Sequence, residues 1–356
     1  MRVLVQVGVG ATDPLDGAAQ HLALVRERLA VLADALADPV LAKARIVVPE
    51  PSVGVLDTFM LGPGRTLYTE VSAGFTVRAR RHAAEGAGGD AADGQDLAPD
   101  VVGSTQLVED PAHAHVEPWV GTSSWTEPPR VLAVSADGST RDTGLRRNTR
   151  PPGTPELEVT EVLVTSHDGA QVPLAILRRR GLPLTGDNPT LLVGYGAYGF
   201  SFQAHFDPRS MAWLERGGVL AYANVRGSGA YGDDWYRAGF KATKPNTWKD
   251  GIACARWLIA QGYASPATLG VWGTSAGGIF VGRAVTTAPE LFAAAIFDVG
   301  EMDLIRGEES ANGITNTSEF GTTRDAAEFR GLLEMSTYHQ ISDGVAYPAV
   351  LLVHGL

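Results

Sequence analysis

The sequence predicts an all-β segment over residues 1–155 joined to an α/β segment over residues 156–356. Three observations carry this. Short β-branched or alternating runs separated by turn residues fill the first segment, as in small antiparallel units. Strand patterns alternate with helix patterns in the second, the mark of a mostly parallel sheet covered on both faces. The pentapeptide GTSAG, Gly273 to Gly277, falls where one of those strands meets a helix.

Within the first segment, RIVVPE (45–50), GRTLYTEVSA (64–73), FTVRARRH (75–82) and RVLAVSADG (130–138) predict strands of a propeller or sandwich. Residues 83–100, AAEGAGGDAADGQDLAPD, offer almost nothing to bury and predict a flexible surface insertion. Residues 21–38 space Leu22, Val25, Leu29, Leu32 and Leu36 three or four apart and predict a helix that has no evident place in an all-β unit. His113, His115 and Glu117 alternate onto one strand face, an arrangement that suits a metal. A metal site needs further ligands and none can be named, so a polar strand face is expected and no metal is assigned.

The second segment opens on a hairpin, EVTEVLVTS (158–166) and AQVPLAILRR (170–179) about the turn HDG. TLLVGYG (190–196) predicts a buried strand, PRSMAWLERGG (208–218) a helix with Pro in its first turn and Gly at its end, and VLAYANVRG (219–227) the next strand. NTWKDGIACARWLIAQG (246–262) places Trp248, Ile252, Ala255 and Ile259 on one helical face, with Asn246 to cap it and Gly262 to stop it. ATLGVWG, then AGGIFVGRAVTTAP, then AAAIFDVG predict strand, helix and strand. YPAVLLVHGL (347–356) contains the unbroken apolar run Ala349 to Val353, which predicts a strand buried on both faces.

With 44% hydrophobic and 19% charged residues the chain has ample core. A net charge of -11 and a pI near 5.2, with no basic stripe, argue against a nucleic-acid partner. The one cysteine, Cys254, lies in an apolar helical pattern, so no intrachain disulfide forms and a small core residue is expected. MRVLVQVGVGATDP has one basic residue, a short apolar stretch and neither a cleavage nor a spanning pattern, which predicts a cytoplasmic protein without a membrane partner.

GTSAG is the G-x-S-x-G nucleophile elbow, preceded by TLGVW and followed by GGIFVGRAV as the motif requires. Small residues two before and two after Ser275 let strand and helix approach closely while the turn lifts the hydroxyl above the sheet edge. The motif in this setting predicts an α/β-hydrolase fold. A serine hydroxyl needs a base to take its proton and a carboxylate to orient that base, and in this fold both follow the serine, acid first. Only His339, in the loop-like STYHQISDG, and His354, at the end of the last strand, follow Ser275, neither well placed; Asp298, Asp303 and Asp343 read more simply as strand-end, surface or turn carboxylates. The backbone N–H of Ala276 suits one oxyanion donor. GYGAYGF (194–200) either supplies a second or is a Gly-rich turn with two packing tyrosines.

NPTLLVGYGAYGF, GGVLAYANVRGSGAYGDDWYRAG, KPNTWKDGIACARWLIAQGYASPATLGVWGTSAGG and PELFAAAIFDVGEMDL, in this order, strongly resemble the prolyl oligopeptidase family of serine peptidases over about residues 156–356. SSWTEPPRVLAVSADG (123–138) resembles the last propeller blade leading into the hydrolase domain. The resemblance implies an enzyme without cofactor in which a β-propeller over the active site admits only short or flexible peptides. It makes Ser275 the nucleophile, the Ala276 N–H one oxyanion donor and the Tyr195 hydroxyl the other. Tyr198 and Phe320 match positions that wall the pocket for the residue before the scissile bond. Asn316 stands where prolyl-specific members have a tryptophan that stacks on the proline ring, and Ala230 where the family usually carries Glu. A basic preference would need several acids, and Glu319 is one alone.

In the family the catalytic aspartate follows the strand matching PAVLLVHG, and the histidine follows the next strand. Neither position falls within residues 1–356, so the expectation is an α/β-hydrolase domain incomplete at its C-terminus, behind a partial propeller-like region of two or three blades. Three readings follow: a serine peptidase of this family present as a piece of a longer enzyme, an inactive truncated or degenerate member that binds short peptides, and an esterase on the same fold. Oligomeric state is not legible.

Overall fold

The computed structural model describes residues 55–61, 67–82, 94–101, 103–108, 118–135, 137–146, 150, 152–310 and 313–355, and the described strands form three sheets. The helix expected at 21–38, the strand at 45–50 and the group His113, His115 and Glu117 lie outside the described residues. Among the described residues no helix is long and apolar enough to cross a membrane, and no group of three His, Cys, Asp or Glu is placed to hold a metal.

Two sheets are four-stranded antiparallel meanders. The first runs β1 (Val55–Leu61), β2 (Leu67–Ala73), β3 (Thr76–His82) and β4 (Gln95–Asp96); the second runs β5 (Ser104–Val108), β6 (Trp119–Ser123), β7 (Arg130–Val134) and β8 (Thr140–Asp142). Alternation fixes which face is inward: Val77 and Ala79 of β3 are buried between exposed or half-exposed neighbours. Tyr68, Ala79, Leu97, Leu107, Val120 and Val134 join the two sheets in one apolar cluster. Ser104 Oγ and Thr105 Oγ1 accept the Val77 and Ala79 N–H groups at 3.1 and 2.9 Å, so the sheets are also stitched by hydrogen bonds. The predicted insertion ends sooner than its composition implied, because Gln95 and Asp96 pair with β3 and Leu97 is 1% exposed. A single leucine is enough to anchor a polar stretch once a sheet edge is near.

The third sheet has seven strands in the order β9 (Leu157–Thr165), β10 (Gln171–Arg179), β12 (Val219–Ala223), β11 (Thr190–Gly194), β13 (Leu269–Thr274), β14 (Ala294–Asp298) and β15 (Ala349–Val353). The predicted hairpin pairs in full register from Gln171 opposite Thr165 to Arg179 opposite Leu157. Pairing is antiparallel through β9, β10 and β12 and parallel from β12 to β15. The chain leaves β11 toward β12 on one side and leaves β13 toward β14 on the other. Their carboxyl ends therefore flank a switch point, where open α/β sheets form their crevice.

The helices are α1 (Met211–Leu214), α2 (Asp233–Arg237), α3 (Pro245–Ala260), α4 (Gly277–Thr287), α5 (Leu304–Gly307), α6 (Gly313–Phe320), α7 (Ala326–Met335) and α8 (Thr337–Gln340). On one face of the sheet α3 and α4 bury Trp248, Leu258, Ile279 and Phe280 against Leu192 and Val271. On the other, Leu214 of α1 joins Leu177 and Leu220, and Phe75 and Trp125 from the small sheets complete that cluster. The Trp125 indole stacks on Tyr222 with centroids 5.1 Å apart. Cys254 is fully buried, and burial pushes its thiol pKa up, as a core residue requires.

Several expectations are corrected. α3 starts at Pro245, whose fixed φ suits a first turn, so Asn246 lies inside the helix and donates Nδ2 to Ala238 O at 2.9 Å instead of capping. The helix expected over 208–218 is a 3-10 turn at Pro208–Ser210 followed by α1, which is over at Leu214, short of its glycines. His339 sits in α8 and not in a loop. The run Ala349–Val353 does form a strand, but at the sheet edge: Val350 to Val353 are 45–55% exposed, not buried on both faces. Apolar continuity predicts burial only where neighbours cover the strand, and β15 pairs with β14 alone among the described strands.

An ion cluster, buried at Arg226 and Asp250 and exposed at Asp168, ties the hairpin to the helical layer. Arg226 donates through Nε and Nη2 to Asp250 at 3.0 and 2.7 Å, and reaches Asp168 in the β9–β10 turn. Hydrogen bonding to Arg226 holds the Asp168 pKa down at about 2. A carboxyl depressed on folding stabilises the fold above its unfolded pKa near 4 and loses that contribution as pH falls through its folded value. Thermal stability is thus expected to fall between about pH 4 and pH 2, with a smaller drop across that window in Asp168→Asn.

Candidate active site

Ser275 follows the last residue of β13 and precedes α4 by one residue, at the carboxyl end of the central strands. Its φ is +53°, a conformation that costs a non-glycine residue on the order of 1–3 kcal/mol. The surrounding backbone holds it there. Its N–H donates to Asp298 O at 2.8 Å, and its carbonyl accepts from Gly278 N at 2.8 Å and Glu301 N at 2.9 Å. Glycine is required beside it: a Cβ on Gly273 would lie 2.3 Å from Gly277 O, and one on Gly277 2.9 Å from Gly194 O. This is the close strand–helix approach that GTSAG predicts. The Ser275 side chain faces solvent, while Ala276 is buried and its N–H has no protein acceptor among the described residues.

The loop after β11 brings Tyr195 to the same point. Its phenol interacts with Ser275, which opposes the upward pKa shift imposed mainly by burial and further raised by Glu319. Tyr198, at φ +56°, turns the other way. Its ring meets Phe320 edge-on at 5.6 Å, and its hydroxyl donates to Asn316 Oδ1 at 2.8 Å. Burial, then Glu319, pushes the Tyr198 pKa up to about 12. Tyr198, Asn316 and Phe320, three residues named from sequence, thus form one wall. Behind it a void of about 20 Å³ is lined by Glu301, Asn316 and Phe320, room for roughly one water. Burial raises the Glu301 carboxyl pKa.

The other candidates are engaged elsewhere. Asp303 caps α5 by accepting from Ile305 N and Arg306 N, and Asp298 Oδ2 accepts from Thr274 Oγ1 at 3.1 Å. His339 Nδ1 meets Ser336 Oγ at 2.8 Å and lies 3.8 Å from Asp303, so both contacts fall on one ring nitrogen and no relay through the imidazole results. His354 Nδ1 contacts Gly355 O at 2.7 Å. Asp343 is exposed. Among the described residues no histidine bonds Ser275.

Glu319 is buried and already occupied: it accepts from Tyr198 N at 2.9 Å and from the Tyr236 hydroxyl, and lies 3.6 Å from Lys244 Nζ. It is not free to receive a basic substrate side chain. Lys244 and Tyr236 were not legible as site residues. The one hint was a lysine just ahead of α3, at the positive end of a helix dipole, where a cation needs a partner elsewhere. Ala230 is buried, and its carbonyl accepts from Gly74 N at 3.2 Å, joining the β2–β3 turn to the hydrolase-like part. Beside that contact opens a cavity of about 1120 Å³, lined by Thr76, Tyr198, Phe200, Tyr222, Tyr236 and Glu319 among others.

Residues 204–356 match the model of the prolyl oligopeptidase family. A prolyl endopeptidase of Elizabethkingia miricola is 33% identical over 233 residues, 65% of this chain and 33% of that protein. A dual-function macrocyclase-peptidase of Amanita bisporigera is 34% identical over 200 residues, 56% of this chain and 27% of that protein. The chain thus spans about a third of the length of these curated relatives. A solved prolyl endopeptidase structure superposes with a TM-score of 0.79 at 30% identity, covering 89% of this chain and 46% of that one. A Galerina marginata prolyl oligopeptidase B, at 24% identity and TM-score 0.75, covers 86% of this chain and 42% of its own and shares the fold. The seven-stranded sheet and the small meanders are accordingly α/β-hydrolase and propeller architecture, and the chain belongs to the prolyl oligopeptidase family of serine peptidases.

Proposed function

We propose that this chain supplies the nucleophile, the oxyanion hole and the pocket wall of a serine peptidase that cleaves short peptides through an acyl-enzyme on Ser275. The observation that carries this is the junction itself: a solvent-facing serine at φ +53°, beside a free Ala276 N–H and the Tyr195 phenol. Attack on a peptide carbonyl moves negative charge onto its oxygen, and the Ala276 N–H next to Ser275 and the Tyr195 phenol would be its two donors. Residues 1–155 would form the propeller-like region and 156–356 the peptidase domain. The 1120 Å³ cavity between their elements suits a peptide chain entering from the propeller side. The test is a length series: the intact protein is expected to cleave short internally quenched peptides and to spare folded proteins, and equal cleavage of both would contradict the reading.

Among the described residues no histidine bonds Ser275, and His339 and His354 make other contacts, so the base that takes the Ser275 proton is not assigned to either of them. Residues 1–356 expressed alone are therefore expected to hydrolyse peptides negligibly, since a serine without its base keeps only oxyanion and binding contributions. Turnover by that polypeptide, lost in Ser275→Ala, would show that the base is within it. An inactive peptide-binding member would bind the same peptides in the intact protein without cleaving them, and an esterase would cleave activated esters but not amides.

The wall bears on which residue precedes the scissile bond. Asn316 offers an amide already bonded to Tyr198 where an indole would stack on proline. Stacking of an aromatic ring contributes about 0.5–1.5 kcal/mol. Asn316→Trp is expected to raise kcat/KM for a proline substrate over its alanine analogue by about 3- to 10-fold, measured with the paired peptides.

A further inference from the structure

Tyr195 and Tyr198 lie on one loop whose backbone turns left-handed at Gly196, Tyr198 and Gly199, with φ of +74°, +56° and +66°, a shape that is unfavourable at the non-glycine Tyr198. Such a conformation persists only where the surroundings over-determine it. Two buried side chains from distant elements do so. Lys244, ahead of α3, donates from Nζ to Gly196 O at 2.6 Å. Glu319, in the last turn of α6, accepts the Tyr198 N–H at 2.9 Å and binds the Tyr236 hydroxyl with its other oxygen. The two charges are 3.6 Å apart with side chains 1% and 2% exposed, and the ammonium also lies 5.2 Å from the centre of the Phe320 ring.

Removing two ions from water this completely costs so much that many buried pairs add nothing to stability. The cost is visible at Lys244, whose pKa burial pulls down to about 8 against the attraction of Glu319. Stability alone is a poor reason for the pair. Its hydrogen bonds go instead to the two peptide groups that flank Ala197, one just after Tyr195 and one at Tyr198. The geometry points to Lys244 and Glu319 as positioning residues, a buried clamp that sets the Tyr195 phenol and the Tyr198 wall together; this rests on the oxyanion role given to Tyr195 above. Because Glu319 adjoins Phe320 in the chain and Tyr198 packs on that ring, pocket and oxyanion donor share one support.

The test is the paired substitution Lys244→Met and Glu319→Gln in the intact protein, which removes both charges at nearly constant volume. Its thermal midpoint is expected to stay within a few degrees of the parent, since a buried pair replaced as a unit is often neutral. Hydrogen exchange is expected to rise at least about 10-fold in the backbone of residues 195–200 and to stay unchanged in β13 and α4. Peptide turnover is expected to lose about 10- to 100-fold in kcat with KM within about 3-fold, the signature of a displaced transition-state contact. Unchanged exchange at 195–200, or a kcat loss no larger than the loss of folded protein, would overturn the clamp. If the parent itself cleaves no peptide, the peptidase reading fails and the exchange result still decides the clamp.

Discussion

Ser275→Ala in the intact protein is expected to lower kcat for a short peptide by about 10⁵- to 10⁶-fold, with KM changed little. The size follows from chemistry. Alanine at the elbow has no oxygen to form the acyl-enzyme, and what remains is the smaller help of the oxyanion donors and of binding. The substitution is also structurally mild. The side chain faces solvent and the hydrogen bonds at this residue are made by its backbone N–H and carbonyl, so the φ of +53° is enforced equally for alanine. An unchanged thermal midpoint beside the lost turnover would separate chemistry from folding. Activity above about 1% of the parent would mean that another residue attacks the substrate.

Tyr195→Phe is expected to lower kcat by about 10²- to 10³-fold, or about 3–4 kcal/mol of transition-state stabilisation, again with little change in KM. In the proposed role the phenol would donate a hydrogen bond that matters only once the carbonyl oxygen carries charge, which leaves the ground-state complex nearly unaffected. The ring itself packs edge-on against Phe200 at 5.2 Å, a contact that phenylalanine preserves. The protonated state needed for donation is secure, because burial raises the Tyr195 pKa above its ordinary value. A rise in KM with kcat intact would instead assign Tyr195 to uniform substrate binding.

The parts of the site that were legible in the sequence are those dictated by local backbone geometry. Gly273 and Gly277 announce the elbow because any Cβ at either would strike backbone within 3 Å. The loop after TLLVG was left open by its own residues and Tyr195 was named there only through the family resemblance; strand order, which puts the ends of β11 and β13 side by side, is visible only in the fold. Lys244 and Tyr236 carry no periodic or turn signature; they come from elements far from Glu319 in sequence and meet it only after the helices pack. The same limit explains misses in the fold. WVGTS and STQLV, β6 and β5, are short and carry polar residues or a glycine, and they become strands through their partners, with Val120 and Leu107 buried in the shared cluster. The run Ala349–Val353 has the composition of a central strand, while among the described strands it pairs with β14 alone and its side chains are exposed.

The most direct test is to treat the intact protein with a fluorophosphonate, which phosphonylates an activated serine with loss of fluoride, and map the adduct by peptide mass spectrometry. The expected result is one adduct, on the peptide containing Ser275, absent in Ser275→Ala and formed about 10²-fold more slowly in Tyr195→Phe. An adduct on a different serine, or labelling of Ser275 at an undiminished rate in Tyr195→Phe, would contradict an elbow nucleophile served by the Tyr195 and Ala276 donors.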